Sequence, residues 1–245
     1  MKHTYRNIAI SLILFMFVTF LSFGKSFATM NKSLLSNIHQ DSISPLPLNL
    51  TQFMALEATG AVILDARSSE EFKAGYIPKS IHIGWKGPFK IWVQKIFMDK
   101  HQPIIYVADH SSITLVFEML TELGYTQVLG YLHDGVNSYK KQYLLNTVDE
   151  VDAATYLDLS TKGQIIDVRS EKEFAEGHID NAMNFPLKDL GNFNINLPKY
   201  NNYYVQCLSG YRSMIAISIL KAKGIENVIN IKGGYQALKK IKEEK

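Results

Sequence analysis

The segments DARSSEEFKAGYI (residues 65–77) and DVRSEKEFAEGHI (residues 167–179) are two copies of one motif. Seven of their thirteen positions are identical, and each copy follows a short apolar run, AVIL or QII. Ser68 and Ser170 each precede a glutamate by three residues, a spacing typical of the capping box that begins a helix. The repeat therefore predicts the same strand-then-helix unit twice in one chain.

A second similarity follows downstream of each copy. LTELGYTQVLGYLHDG resembles LKAKGIENVINIKGG, and Gly124 and Gly224 lie 100 residues apart. A period of this length suits a duplicated domain rather than a solenoid repeat. We therefore expect one domain over residues 46–145 and a second over residues 150–245, joined by the polar segment NTVDEVDAA.

In the second domain, short apolar runs alternate with helix-like runs. The strand-like runs are QIIDV, YYVQC and NVINI, and the helix-like runs are EKEFAEG, RSMIAISILKAKG and YQALKKIKE. Such alternation is typical of α/β domains, in which a mostly parallel sheet is flanked by helices. We predict an α/β fold with two tandem domains of this kind. Ligands of such sheets bind at the carboxyl ends of strands, which is where YYVQ places Cys207.

Cys207, the single cysteine of the chain, is followed by a loop and then by a helix-like run from Ser213. Gly210 allows a sharp turn, whose N–H groups, with the helix N-terminus, would favour an anion. Arg212 adds a positive charge, while Ser209 and Ser213 supply hydroxyl donors. This setting would stabilise a thiolate, which makes Cys207 a candidate nucleophile. The alternative is a buried core cysteine, since free cysteine is among the most buried residue types.

The first thirty residues differ from the rest of the chain. Lys2 and Arg6, an apolar run over residues 8–23 and a small-x-small sequence ending at Ala28 are typical of a secretory signal peptide over residues 1–28. An uncleaved N-terminal membrane anchor is the alternative, because the apolar run is intermediate in length. We therefore expect an exported protein, periplasmic or secreted.

The net charge, the cysteine count and the spacing of the histidines exclude several classes of function. The formal net charge is only +3, and no basic run with interleaved aromatic residues indicates nucleic-acid binding. A single cysteine cannot form an intramolecular disulfide. The seven histidines show no paired metal-ligand spacing, so we expect neither a metal nor a cofactor.

Two further features have simple structural interpretations. His178 could act as a base for Cys207, but we favour a capping or packing role at a turn. Residues 84–100 mix aromatic residues and lysines. We interpret them as a helix packed on the first domain with solvated lysines, rather than as a contact with a membrane or another chain.

These motifs resemble the rhodanese superfamily over nearly all of residues 55–245. The D-x-R-S-x-x-E-F-x-x-G-x-I element is similar to the first strand and helix of that family, and CLSGYRS is similar to its active-site loop. The resemblance implies a sulfurtransferase in which Cys207 attacks the outer sulfur of a small donor such as thiosulfate and becomes a persulfide. That sulfur would then pass to a thiophilic acceptor such as cyanide or a thiol.

The same resemblance assigns roles to the residues around Cys207. Backbone N–H groups of the loop would stabilise the persulfide, and Tyr211 and Arg212 would line the mouth and select the donor. Asp167 and Arg169 would be framework residues. The candidate substrate-binding residues are Leu208, Ser209, Gly210, Tyr211, Arg212 and Ser213.

The length of the loop separates two chemistries within this fold. The loop has six residues from Cys207 to Arg212, one fewer than the loop of the related phosphatases, which holds a tetrahedral oxyanion. The resemblance therefore favours sulfur transfer over phosphate hydrolysis. The alternative function is a sulfane-sulfur carrier, sensor or interaction module without turnover, acting on a protein partner that the sequence does not identify.

The first domain departs from the family pattern. Its strand-like run IIYVAD ends at Asp109, about where a counterpart of Cys207 should lie, and its loop is shorter by about two residues. The following HSSITL lacks the glycine and the arginine. The resemblance implies that this domain is inactive and shapes the active-site cleft of the second domain.

Overall fold

The computed structural model describes residues 44–159, 163–191, 197–198 and 201–244. They belong to one compact unit. The predicted signal peptide or anchor over residues 1–28 lies outside the described residues. Within those four ranges, no helix combines the length and the apolar character needed to cross a bilayer.

The first half of the chain forms a five-stranded sheet. Its strands are β1 (Pro47–Leu48), β2 (Val62–Asp65), β3 (Ile81–His82), β4 (Ile104–Val107) and β5 (Val128–Leu132). Its helices are α1 (Leu50–Ala58), α2 (Ser69–Ala74), α3 (Phe89–Ile96), α4 (Ile113–Glu122) and α5 (Val136–Lys140), with a 3-10 turn at His110–Ser112. The strand order is β1-β5-β4-β2-β3, and every pairing is parallel.

The second half repeats this arrangement. Its strands are β6 (Asp149–Asp152), β7 (Gln164–Asp167), β8 (Met183–Asn184), β9 (Tyr203–Gln206) and β10 (Val228–Lys232). Its helices are α6 (Ala153–Asp158), α7 (Glu171–Ala175), α8 (Leu187–Leu190), α9 (Tyr211–Ala222) and α10 (Gly234–Glu243). The parallel order is β6-β10-β9-β7-β8. The predicted pair of α/β domains with parallel sheets flanked by helices is confirmed.

The repeated motif forms the same local structure in both domains. Ser68 and Ser170 are the N-caps of α2 and α7, and each makes a reciprocal capping box with the glutamate three residues later. The predicted start of α9 at Ser213 is wrong, because the helix begins at Tyr211. Gly210 has a φ of +125°, which lets the chain turn directly into the helix.

The two sheets share one hydrophobic core. Val205 and Ile217 of the second domain pack in the same cluster as Tyr106 and Val116 of the first. Helix α9 contacts β9 and β10 of its own sheet and β3 of the first sheet. All eight residues from 213 to 220 are buried, as expected for a helix covered on all sides. The loop that precedes α9 is therefore positioned by both domains.

Helix α3 matches the interpretation of residues 84–100. Phe89 and Val93 are buried, whereas Lys90 and Lys95 are exposed. The helix also contacts α8 of the second domain. Its apolar side therefore belongs to the contact between the two domains.

Candidate active site

Cys207 lies at the carboxyl end of β9, the middle strand of the second sheet. It is 1% exposed and packs with Tyr203 and Val205 in the shared core. The backbone N–H of Gly210 donates a hydrogen bond of 3.1 Å to its Sγ. The N-terminus of α9, which carries a partial positive charge, begins one residue later. The thiol thus occupies the floor of a loop that presents an N–H donor to sulfur.

Arg212 is held by a carboxylate of the repeated motif. Its Nη1 and Nη2 donate to the two carboxylate oxygens of Glu173, each at 2.7 Å. Hydrogen bonds from Arg212 are the main reason that the pKa of Glu173 falls to about 2. The pKa of Arg212 is raised, first by Glu173 and further by the adjacent Cys207. The positive charge predicted at the rim is present, but it is paired with Glu173.

Tyr211 reaches into the first domain. Its hydroxyl donates a hydrogen bond of 2.9 Å to the carbonyl oxygen of Gly84. In contrast, Leu208 is 36% exposed and Ser209 is exposed. The mouth of the loop therefore presents Leu208 and Ser209 to solvent, while Tyr211 is engaged between the domains.

A buried polar chain leads from the loop to the first domain. Ser213 Oγ lies 2.9 Å from the carbonyl oxygen of Gly210 and 2.7 Å from Asn230 Oδ1. Asn230 Nδ2 donates to Glu150 at 2.8 Å, and Glu150 also accepts from Lys73 Nζ at 2.8 Å. Because Lys73 holds the carboxylate ionised, the amide of Asn230 is oriented with its oxygen towards Ser213. Ser213 thus supports the residue that donates to Cys207.

A glycine doublet supports the other side of the loop. The N–H groups of Tyr235 and Gln236, in the first turn of α10, donate to the carbonyl oxygens of Cys207 (2.8 Å) and Leu208 (3.1 Å). This approach requires Gly234, because a Cβ there would lie 2.4 Å from the Cys207 carbonyl oxygen. The sequence analysis did not predict this contact. The glycine pair Gly233–Gly234, which follows the last strand, is the sequence feature that could have indicated it.

The predicted framework residues lie beneath the site. Arg169 makes a buried salt bridge of 2.7 Å with Asp167 and stacks on the ring of Tyr235 at 3.8 Å. Gln206, next to the cysteine, donates to Asp167 at 3.2 Å. These contacts fix the end of β9. Asp167 and Arg169 are paired with each other, as expected for framework residues.

His178 has the packing role that its sequence position indicated, rather than a role as a base for Cys207. Its Nδ1 lies 3.0 Å from the carbonyl oxygen of Phe174, and its ring stacks on the ring of Phe174. The side chain is exposed at the turn after α7. Among the residues that the structure describes, no group of three histidine, cysteine or acidic side chains could hold a metal ion.

The counterpart of Cys207 in the first domain is Ala108, not Asp109. Strand register pairs Asp65 with Val107 and Asp167 with Gln206, so Ala108 and Cys207 follow equivalent residues. Ala108 also packs against the shared core, as Cys207 does. The sequence analysis was wrong by one residue because it ended the strand-like run at Asp109, whereas β4 ends at Val107. The loop of the first domain is therefore one residue shorter than that of the second, not two.

Asp109 instead faces the glutamate of the first capping box. Burial, and then the charge of Glu71, raise the pKa of Asp109. The pKa of Glu71 is lowered, chiefly by its hydrogen bond with Ser68. The first domain therefore carries two facing carboxylates where the second carries Glu173 and Arg212, and it lacks both the thiol and the cation.

A family model described as a rhodanese-like domain matches residues 50–142 and again residues 152–241. This chain belongs to the rhodanese-like family. Its fold and its repeated motif are those of a tandem member of the rhodanese sulfurtransferase superfamily.

Several known proteins are similar to parts of this chain. The chain is 28% identical over 94 residues to a sulfurtransferase from Allochromatium vinosum, covering 38% of this chain and 88% of that protein. It is 30% identical over 96 residues to the adenylyltransferase and sulfurtransferase uba4 of Ogataea parapolymorpha, but spans only 25% of that protein. A thiosulfate sulfurtransferase crystal structure from Pseudomonas aeruginosa matches 80% of this chain and 42% of that chain, at 18% identity and a TM-score of 0.36.

Proposed function

We propose that this rhodanese-like protein is a sulfurtransferase that carries sulfane sulfur on Cys207. The observation that carries the proposal is the arrangement of the six-residue loop. Cys207 ends the central strand, the N–H of Gly210 points at its sulfur, and a twelve-residue helix begins immediately afterwards. A thiolate, and equally the terminal sulfur of a persulfide, is stabilised by such donors.

The transfer has two balanced steps. In the first, the Cys207 thiolate attacks the outer sulfur of the donor, the donor S–S bond breaks, and its electron pair leaves with sulfite when the donor is thiosulfate. In the second, a thiol or cyanide attacks the terminal sulfur of the persulfide. The new S–S bond then breaks and its electron pair returns to Cys207 as thiolate.

The burial of the thiol favours sulfur over phosphate. Cys207 is 1% exposed, and its loop closes on Arg212 after six residues. A loop of this length is similar to that of the sulfurtransferases, whereas the related phosphatases use a loop one residue longer to hold a tetrahedral oxyanion, and this supports sulfur as the transferred atom. Phosphate ester hydrolysis is therefore not proposed.

A sulfur carrier without turnover is the second candidate. The same burial of Cys207 that narrows donor access would also shield a persulfide from loss to solvent thiols. Such a protein would load sulfur and release it only to a particular partner. The two candidates share the first step and differ in the second.

Thiocyanate formation from thiosulfate and cyanide tests the proposal. The full-length protein is compared with Cys207→Ser. The intact mass of each protein is also recorded after incubation with a sulfur donor, such as thiosulfate, in the absence of the acceptor. We expect turnover and a mass gain of one sulfur atom, both absent from the variant. A mass gain without turnover would support the carrier, and no gain with any donor would refute both candidates.

We also propose that the protein acts outside the cytoplasm. The basic start, the apolar run over residues 8–23 and the small residues before Ala28 support export. Comparison of the cytoplasmic and exported fractions, with the N-terminal residue of the mature chain determined, separates a cleaved signal peptide from a retained anchor. Recovery of the full-length chain only in the cytoplasm would contradict export.

A further inference from the structure

We infer that Lys73, in the domain that has no thiol, is a positioning residue for Cys207, an inference that deepens the proposed function and rests on the role of Cys207 as nucleophile. Lys73 lies on α2 of the first domain, at the end of a chain of hydrogen bonds that reaches the cysteine loop of the second. Its effect passes through three side chains, Glu150, Asn230 and Ser213.

The first link of this chain joins the two domains. Lys73 Nζ donates to Glu150 Oε1 at 2.8 Å, and Glu150 lies in β6 of the second sheet. Burial of Glu150 acts to raise its pKa, but hydrogen bonds from Lys73 and then Asn230 outweigh burial and lower that pKa overall. The pKa of Lys73 is raised, first by its bond with Glu150. The pair is therefore ionised at neutral pH.

The ionised carboxylate fixes the direction of the next two hydrogen bonds. A carboxylate without a proton can only accept, so Asn230 turns its Nδ2 towards Glu150, at 2.8 Å. Asn230 Oδ1 then faces Ser213 Oγ at 2.7 Å and accepts its proton. Both Asn230 and Ser213 are buried. A reversed amide would place its oxygen against the carboxylate, which is costly in a buried site.

Ser213 has one hydroxyl proton but lies close to two acceptors. Its Oγ is 2.9 Å from the carbonyl oxygen of Gly210 and 2.7 Å from Asn230 Oδ1. A serine that donates to a carbonyl one turn earlier competes with the helix backbone and bends the helix. Because Asn230 takes the proton, the Gly210 carbonyl is left to accept from the N–H of Met214 at 3.3 Å, which is the first bond of α9.

The first turn of α9 carries the donor that Cys207 uses. Gly210 is the N-cap of α9, and its own N–H donates to Cys207 Sγ at 3.1 Å. If Ser213 competed for the Gly210 carbonyl, this residue would shift and its N–H would stabilise a thiolate less well. The charge of Lys73 therefore holds the cysteine loop in place from the other domain.

The repeated motif shows that the helix itself does not need this lysine. The two copies of the motif align Lys73 with Ala175, and α7 forms with alanine at that position. The ion pair of Lys73 with Glu150 is thus a feature of the contact between the copies and not of the repeated unit.

The test measures two rates on the full-length protein by intact mass: alkylation of Cys207 by iodoacetamide, and sulfur loading from thiosulfate. We expect Lys73→Met to slow both reactions about fivefold, as for residues coupled in one polar network. Lys73→Arg keeps the cation and should restore both rates to within about twofold of wild type. Glu70→Gln is the matched control, because it removes the exposed partner of Lys73 and leaves Glu150 in place. It should change neither rate.

A double-mutant cycle separates positioning from a general loss of structure. Ser213→Ala interrupts the chain, so adding Lys73→Met to that variant should slow alkylation no further, whereas independent effects would multiply. The inference would be overturned by a wild-type alkylation rate in Lys73→Met, by an undiminished effect in the Ser213→Ala background, or by a Cys207 that does not react in folded wild type. The expected alkylation rates without any sulfur loading would support the role of Lys73 and contradict the proposed function.

Discussion

The ring of Tyr211 in the second domain lies directly against Gly87 in the first. A Cβ at Gly87 would come within 2.0 Å of the ring atom Cε2, and the hydroxyl of the same ring is bound to Gly84. Burial raises the pKa of Tyr211 well above its usual value, so the phenol keeps the proton that it donates. One residue of the Cys207 loop is therefore held by the domain that has no thiol.

Gly87→Ala tests whether this contact matters for sulfur transfer. The added methyl must displace the Tyr211 ring, since the ring is rigid, and the start of α9 moves with it. We expect at least a tenfold loss in loading of Cys207, with a destabilisation of about 1–3 kcal/mol typical of an overpacked contact. Gly191→Ala is the control, because among the described residues its Cβ would meet only one atom, at 3.7 Å. Equal activity of both variants would show that the first domain does not position the loop.

Gly234→Ala separates backbone strain from steric contact at the site. Gly234 and Gly135 occupy corresponding turns with φ of +59° and +56°, but only Gly234 lies against the Cys207 carbonyl oxygen. Both alanine variants should lose about 1–3 kcal/mol of unfolding free energy, because a positive φ is strained for alanine. Only Gly234→Ala should also lose sulfur loading, measured by intact mass. Full loading of Gly234→Ala would mean that the loop tolerates a shift of α10.

The salt bridge between Glu173 and Arg212 predicts a pH-dependent stability. The carboxylate has a folded pKa of about 2 against an ordinary value of 4.5, so the folded state binds its proton less readily than the unfolded state. The stabilisation is complete above about pH 5 and is lost as the pH falls towards 2. In urea unfolding, the difference between wild type and Glu173→Gln should shrink over that range. A difference that is constant with pH would contradict the ionic origin.

Asp109 is expected to make the stability of the protein depend on pH in the opposite direction. Its pKa is raised above 3.8 by burial and by Glu71, so the ionised form destabilises the folded state at neutral pH. Asp109→Asn should therefore raise the urea midpoint at pH 7, and the gain should vanish as the pH falls below the ordinary value. Asp149→Asn, which removes the same charge at an exposed strand position, should have little effect. A loss of stability in Asp109→Asn would show that the carboxylate is needed.

Local patterns were sufficient to predict most of the fold. The repeated motif, the capping serines and the alternation of strands and helices each depend on neighbouring residues, and each is present in the structure. The Cys207 loop was also visible, because a glycine, an arginine and a single cysteine follow one strand. The roles of individual residues within that loop remain predictions until sulfur transfer is measured.

Relationships between distant segments were not predictable in the same way. The pairing of Arg212 with Glu173 and the support of the loop by Gly234 join residues far apart in sequence. The counterpart of Cys207 was misplaced for the same reason, since the strand register is set by hydrogen bonds between β2 and β4 and not by the end of an apolar run. Ala108 could be recognised only from that register.

Helix α9 has a consequence for the history of this chain. Its apolar side chains are covered by both copies of the duplicated domain, so removing the first copy would expose part of them to water at a cost of about 25 cal/mol for each Å². Selection for folding is then enough to retain a copy that has no cysteine. Strand β3 covers α9, whereas Ala108 and Asp109 follow β4 at the place where the second domain has its cysteine loop. The two copies are therefore parts of one folding unit and not separable modules.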